Sequence, residues 1–127
     1  MIVDSSAIVA VVLQEPGYEQ LLDKLAVGGV GIGTPTLAEL GLVLTARMGR
    51  DSRPVVEGLV ERLALDVIPF GDTHWREAVG AFVRYGRGRH RAGLNFGDCL
   101  TYAVASLADE PLLYVGHDFA QTDLRAA

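Results

Sequence analysis

Cysteine is nearly absent. Cys99 is the only one in 127 residues, so the chain has no intrachain disulfide and no thiol pair of the kind that holds structural zinc. Lysine is equally scarce, with Lys24 alone beside ten arginines. A phosphoryl-accepting receiver domain wants a lysine late in the chain and an acidic pair near its first strand, and neither is there. No hydrophobic run approaches the roughly 20 residues needed to span a bilayer, and the early one from Ala7 to Leu13 is far too short. The opening Met1-Ile2-Val3-Asp4 lacks the basic flank of a secretory leader. These absences point to a soluble protein of the reducing cytoplasm, without membrane attachment. Positive charge is also in deficit, at a net −5. That counts against a nucleic-acid partner only if the acids are spread evenly, because phosphate binding depends on where the cations lie.

What is present suffices for an ordinary core. Half of the residues are hydrophobic, and a domain of this length buries about two-thirds of its unfolded surface without staples. A single domain over residues 1–127 is expected. Met1 to Asp4 reads as a short β-branched strand, Ser5 to Leu13 as a helix, and Glu15-Pro16-Gly17 as a break. Tyr18, Leu21, Leu22 and Leu25 recur at helical spacing. Val30 to Gly33 reads as a strand weakened by glycine. Thr34-Pro35 opens a helix with Leu37, Leu40, Val43 and Leu44 on its apolar face and Gly49 as its stop. A helix over Asp51 to Leu63, a buried strand over Leu65 to Phe70 and a helix over Asp72 to Tyr85 follow. After a glycine- and arginine-rich loop from Gly86 to Leu94 come a helix over Phe96 to Ala108 and a strand at Leu112 to Val115. Strands alternating with helices imply an α/β fold with a parallel sheet covered on both faces.

Four acids fall at equivalent places in this scheme: Asp4 closing the first strand, Glu39 early in a helix, Asp98 opening another, and Asp118 just past the last strand. Open parallel sheets bind ligands outside the carboxyl ends of their strands, where all four can meet. Each also has a plain reading. Asp4 and Asp118 can cap the helix that follows, Thr36-x-x-Glu39 fits a capping box, and Asn95-x-x-Asp98 fits its acidic variant. Capping does not explain why four distant segments bring carboxylates to one rim. Side by side, such charges repel by about 1 kcal/mol per pair at 4 Å in water, and by about 4 kcal/mol at an effective dielectric of 20. A hard cation would neutralise them. All-oxygen ligands select Mg²⁺ or Mn²⁺ over zinc, and such ions promote phosphodiester hydrolysis.

At these residues the sequence resembles the PIN-domain family and, more narrowly, the VapC-type toxins. The likeness lies in Ile2-Val3-Asp4-Ser5-Ser6-Ala7, in Glu39, in the block from Gly86-Arg87-Gly88-Arg89-His90-Arg91 to Asn95-Phe96-Gly97-Asp98-Cys99, and in Leu112-Leu113-Tyr114-Val115-Gly116-His117-Asp118-Phe119 with Thr122-Asp123. Ser5 stands where threonine is common, His117 where Asn or Asp often precedes the acid, and Arg91 where proline is frequent. The resemblance implies a PIN-like three-layer α/β/α fold with a central parallel sheet of four to five short strands. It implies an Mg²⁺- or Mn²⁺-dependent endoribonuclease with Asp4, Glu39, Asp98 and Asp118 as metal-binding and catalytic acids and Ser6 as their polar neighbour. It further implies an RNA substrate and a VapB-like antitoxin that forms a heteromeric complex with the toxin.

The one dense cationic patch is Arg84, Arg87, Arg89 and Arg91 with Tyr85 and His90, leading directly into Asp98. Arginine forks bind phosphate bidentately, so Arg87, Arg89, His90 and Arg91 are expected to hold the RNA; the plain alternative is a solvated loop. Cys99 reads as a small buried hydrophobe, Trp75 as core or interface, and His74 and His117 as surface hydrogen-bonders. The apolar helical surface from Leu37 to Leu63 suggests a homodimer. A haloacid-type phosphatase would need a second aspartate where Ser6 stands. The remaining rivals are a non-catalytic interaction module, in which the acids only cap helices, and a housekeeping PIN nuclease outside any toxin–antitoxin pair.

Overall fold

The computed structural model describes residues 1–127. The chain runs β1 (Ile2–Val3), α1 (Ser5–Val12), α2 (Tyr18–Ala26), β2 (Gly31–Gly33), α3 (Thr34–Met48), α4 (Arg53–Arg62), β3 (Asp66–Ile68), α5 (Asp72–Tyr85), α6 (Phe96–Ala108) and β4 (Leu112–Leu113), and closes with a 3-10 turn at Phe119–Gln121. The breaks follow local chemistry. Asp4 caps α1, Pro35 occupies the first turn of α3 where a missing N–H costs nothing, and Gly49 ends that helix in the left-handed region at φ 71°.

The four strands are all parallel, in the order β3-β2-β1-β4, with Ile2 opposite both Gly31 and Leu112. Leu112 also bridges in parallel to Ala126, so the last residues add a rudimentary fifth strand. Successive side chains in a strand face opposite ways. Accordingly Ile2 and Leu112 enter one cluster with Ala78, Ala81 and Tyr102 of α5 and α6, while Val3 and Leu113 enter another with Ile8, Leu40 and Leu44 of α1 and α3. Helices therefore cover both faces, giving the three-layer α/β/α arrangement.

Three local expectations change. The segment expected as a buried strand over Leu65 to Phe70 is an edge strand of three residues with Asp66 and Val67 exposed, because β3 has a neighbour on one side only. The last strand stops at Leu113, since the N–H of Val115 is taken by the Ser6 hydroxyl at 3.0 Å. Glycine in β2 serves close packing. A Cβ on Gly33 would stand 2.8 Å from Val104 Cγ2, so its absence lets α6 lie directly on the strand.

Candidate active site

The strand order reverses direction at β1. The chain steps outward from β1 to β2 to β3 and then returns to place β4 on the opposite side. Such a switch point leaves a crevice beyond the carboxyl ends of the strands, and Asp4 follows β1 while Asp118 lies past β4.

Asp4 is buried and accepts three hydrogen bonds: Ser6 N–H at 3.1 Å and Ser6 Oγ at 2.6 Å on Oδ2, and Thr101 Oγ1 at 2.9 Å on Oδ1. Asp98 closes a reciprocal box with Asn95. The Asp98 N–H donates to Asn95 Oδ1 at 2.9 Å, and the Asn95 N–H donates to Asp98 Oδ2 at 3.1 Å. Burial, followed by the negative charges of Asp118 and Asp4, pushes the Asp98 carboxyl up to about 6. Glu39 accepts the Ser5 hydroxyl at 2.6 Å, and Gly97, the residue before Asp98, lies so close that any Cβ there would overlap Glu39 Oε2. The fold thus brings Asp4, Asp98 and Asp118 into electrostatic contact and sets Glu39 against the first turn of α6.

Capping accounts for only part of this arrangement. Asp4 and Asp98 do cap α1 and α6. Glu39 and Asp118 do not. Gly33 is the N-cap of α3, Thr36 turns to Thr101 and Glu39 to Ser5, and Asp118 makes no side-chain capping bond. No three His, Cys, Asp or Glu side chains stand close enough together to form a metal-holding group by themselves.

The arginine loop divides. Arg87, Arg89 and Arg91 are exposed, whereas Arg84 leaves the patch. Its guanidinium donates to Asp123 Oδ2 at 3.1 Å and to the Tyr85 and Tyr102 hydroxyls, and lies over the Tyr85 ring. Tyr102 OH completes this latch on Asp123 at 2.6 Å. Partial burial works against the Asp123 charge, yet the hydrogen bonds from Tyr102 and Arg84 hold its carboxyl below the usual range. His90 spends Nδ1 on the Ala92 N–H at 3.0 Å and stands edge-on to Tyr85, so it shapes the loop. His74 Nδ1 accepts the Gly71 N–H, and His117 is exposed. Burial, then the charge of Asp98, pushes the Cys99 thiol up, leaving it unreactive. Trp75 is 50% exposed and no part of the core. The sequence assigns Thr36 to a capping box with Glu39 that the structure does not form, and gives no role to Thr101 or Ser5. The available signal was a small hydroxyl one helical turn from an acid, three residues before Glu39 and three after Asp98.

A family profile described as PIN domain matches residues 1–124. The chain is 48% identical over 126 residues to Ribonuclease VapC36 of Mycobacterium tuberculosis and to VapC ribonuclease Mb2004c of Mycobacterium bovis, covering 98% of this chain and 91% of each relative. Among solved structures it is similar to VapC20 of Mycobacterium tuberculosis, described as a toxin cleaving the sarcin–ricin loop. That likeness has a TM-score of 0.76 at 19% identity and covers 99% of this chain and 97% of that one. A toxin–antitoxin complex from Klebsiella pneumoniae matches with a TM-score of 0.69 at 17% identity over 96% of this chain and 92% of that one.

Proposed function

Since the chain belongs to the PIN-domain family and, within it, to the VapC ribonucleases, we propose that it is an Mg²⁺- or Mn²⁺-dependent endoribonuclease, the toxin of a cytoplasmic toxin–antitoxin pair. The observation that supports the metal dependence is the nearness of Asp4 and Asp118 to Asp98, whose carboxyl burial first, and then those two negative charges, push up to about 6. A half-buried carboxylate with two further acids beside it is matched to a hard cation. Mg²⁺ usually takes one or two carboxylates and keeps its waters, so a closed cage is unnecessary.

Asp4 and Asp98 would hold the ion, with Glu39 and Asp118 completing the acidic rim. When bound, the ion supplies an activated water and neutralises charge developing on the phosphodiester. The chain's own groups do the rest. Ser6 fixes Asp4 through two donors and Ser5 holds Glu39. Arg87, Arg89 and Arg91 offer guanidinium forks to the RNA backbone beside the acids, on a loop that His90 shapes.

An antitoxin arginine entering the acidic crevice would pair with the same carboxylates and compete with the ion. The apolar surface expected from Leu37 to Leu63 is mostly turned inward, with Leu40 and Leu44 buried and Leu37, Leu59 and Leu63 packed against them; a homodimer would instead cover the apolar side chains left exposed on α3, α5 and the start of α6, among them Leu42 at 74% and Phe96 at 80%.

The test uses the purified chain freed of antitoxin. RNA cleavage with Mg²⁺ or Mn²⁺ should vanish in EDTA and return on adding Mn²⁺. Undiminished cleavage in chelator rules the mechanism out.

A further inference from the structure

Two buried threonines lie behind the acids. Thr101, 1% exposed, donates to Asp4 Oδ1 at 2.9 Å, and Thr36, 3% exposed, lies 3.0 Å from the Thr101 hydroxyl. A hydroxyl has one hydrogen to give, and an ionised carboxylate only accepts. With the Thr101 hydrogen committed to Asp4, the hydrogen shared by the threonines comes from Thr36. The bonds therefore run one way, from Thr36 to Thr101 to Asp4.

The placement ties three elements together. Thr36 precedes Glu39 by three residues in α3, and Thr101 follows Asp98 by three in α6. At that spacing each hydroxyl shares a helix face with its acid. Asp4 ends β1 and receives Ser6 N–H and Oγ on its other oxygen. A carboxylate offers about four lone-pair sites. Three are occupied, which leaves one. Packing alone gives no reason for this chain, because valine has the shape of threonine without hydroxyls that must be matched when buried.

We infer that Thr101, backed by Thr36, is a positioning residue for the reaction: it sets the rotation of the Asp4 carboxylate so that its uncommitted lone pair faces Asp98 and Asp118. This rests on the metal-dependent reading above. Losing a group that orients a metal ligand typically costs about 10–100-fold in metal affinity or activity.

The experiment measures Mn²⁺ affinity without RNA, thermal melting and steady-state cleavage on the same preparations. Thr101→Val keeps the side-chain volume and removes the hydrogen. It should weaken Mn²⁺ binding at least about tenfold and lower kcat by a similar factor, with KM for RNA within about twofold. Thr101→Ser should recover both, and Thr36→Val, which leaves the hydrogen on Asp4, should show a smaller loss. The control is Ser52→Ala. Ser52 is fully buried and donates to the Gly41 carbonyl at 2.7 Å between α3 and α4, so this change should lower the melting temperature without moving Mn²⁺ affinity. If Thr101→Val does not fold, Thr101→Ala is read in the same way. A wild-type chain that binds no Mn²⁺ overturns the metal-dependent reading and this inference with it. A wild-type chain that binds Mn²⁺ no better than a folded but less stable Thr101→Val or Thr101→Ala overturns the positioning role alone.

Discussion

An alanine at Gly97 should separate folding from catalysis. The methyl group would overlap Glu39 Oε2 and stand 3.1 Å from Cδ. The obstructed group is the free end of a flexible side chain, so Glu39 swings aside while α3 and α6 keep their packing. The move breaks the 2.6 Å hydrogen bond from Ser5. A bond to a charged acceptor contributes about 1.5–3 kcal/mol, but a carboxylate displaced toward solvent recovers part of that from water. Replacing glycine in a helix returns about 0.5–1 kcal/mol. The net loss is about 1 kcal/mol, or roughly 3–5 °C in melting temperature for a chain of this size. Cleavage should suffer far more, because a misplacement of about 1 Å in a catalytic group can cost about 100-fold. Gly80, inside α5, is the matched control. A Cβ there meets nothing within 4 Å, so Gly80→Ala should gain about 0.5–1 kcal/mol and cleave normally. Single-turnover cleavage beside thermal melts reads both quantities. A folded Gly97→Ala that cleaves at the wild-type rate refutes the reasoning, since Glu39 would then not be needed where it stands.

In EDTA, the elevated Asp98 carboxyl makes the folded chain hold a proton more tightly than the unfolded one, about 6 against 3.8. Its contribution to stability is therefore full below about pH 4 and lost as the pH rises through about 6. Asp98→Asn should remove that slope and abolish cleavage; denaturant midpoints at pH 4, 5 and 7 check it, and an unchanged slope in the variant would place the pH dependence elsewhere. Replacing Arg87, Arg89 and Arg91 together by alanine should weaken binding across RNA sequences and lower the log–log salt slope by about 2, at about 0.7 per single-strand phosphate contact. Binding by Asp4→Asn with and without the triple replacement measures the slope, and no change would make the loop plain solvated surface.

Helix positions were legible because their signals are local. The Asp4 cap, the Asn95–Asp98 box and the Pro35 and Gly49 punctuation of α3 all act within a few residues, and each appears where its spacing places it. The same spacing rule misreads Thr36 and Glu39. A capping box is available to them locally, but Thr101 and Ser5, brought in by tertiary packing, take both side chains instead. Arg84 fails likewise, since its sequence neighbours are arginines while its partners Tyr102 and Asp123 come from α6 and the segment after β4. The edge position of β3 is a property of strand order, which no run of residues encodes. The approach of Asp4 and Asp118 to Asp98 was readable because an alternating α/β pattern fixes where strand ends lie; the donors on Asp4 were not, because the Thr101–Asp4 bond spans 97 positions.

The central strand β1 leaves the ribosome more than a hundred residues ahead of its neighbour β4. At about 5–20 residues per second, that is a delay of roughly 5–20 s. During it Asp4 has neither Asp98 nor Asp118 opposite, and β1 lacks the partner that closes one of its edges. A nuclease whose acids came from one contiguous hairpin would be armed beside the translation machinery while still being made. Asp4, Asp98 and Asp118 can meet only after α6 and β4 have emerged, so on the proposed mechanism the order of synthesis itself delays cleavage.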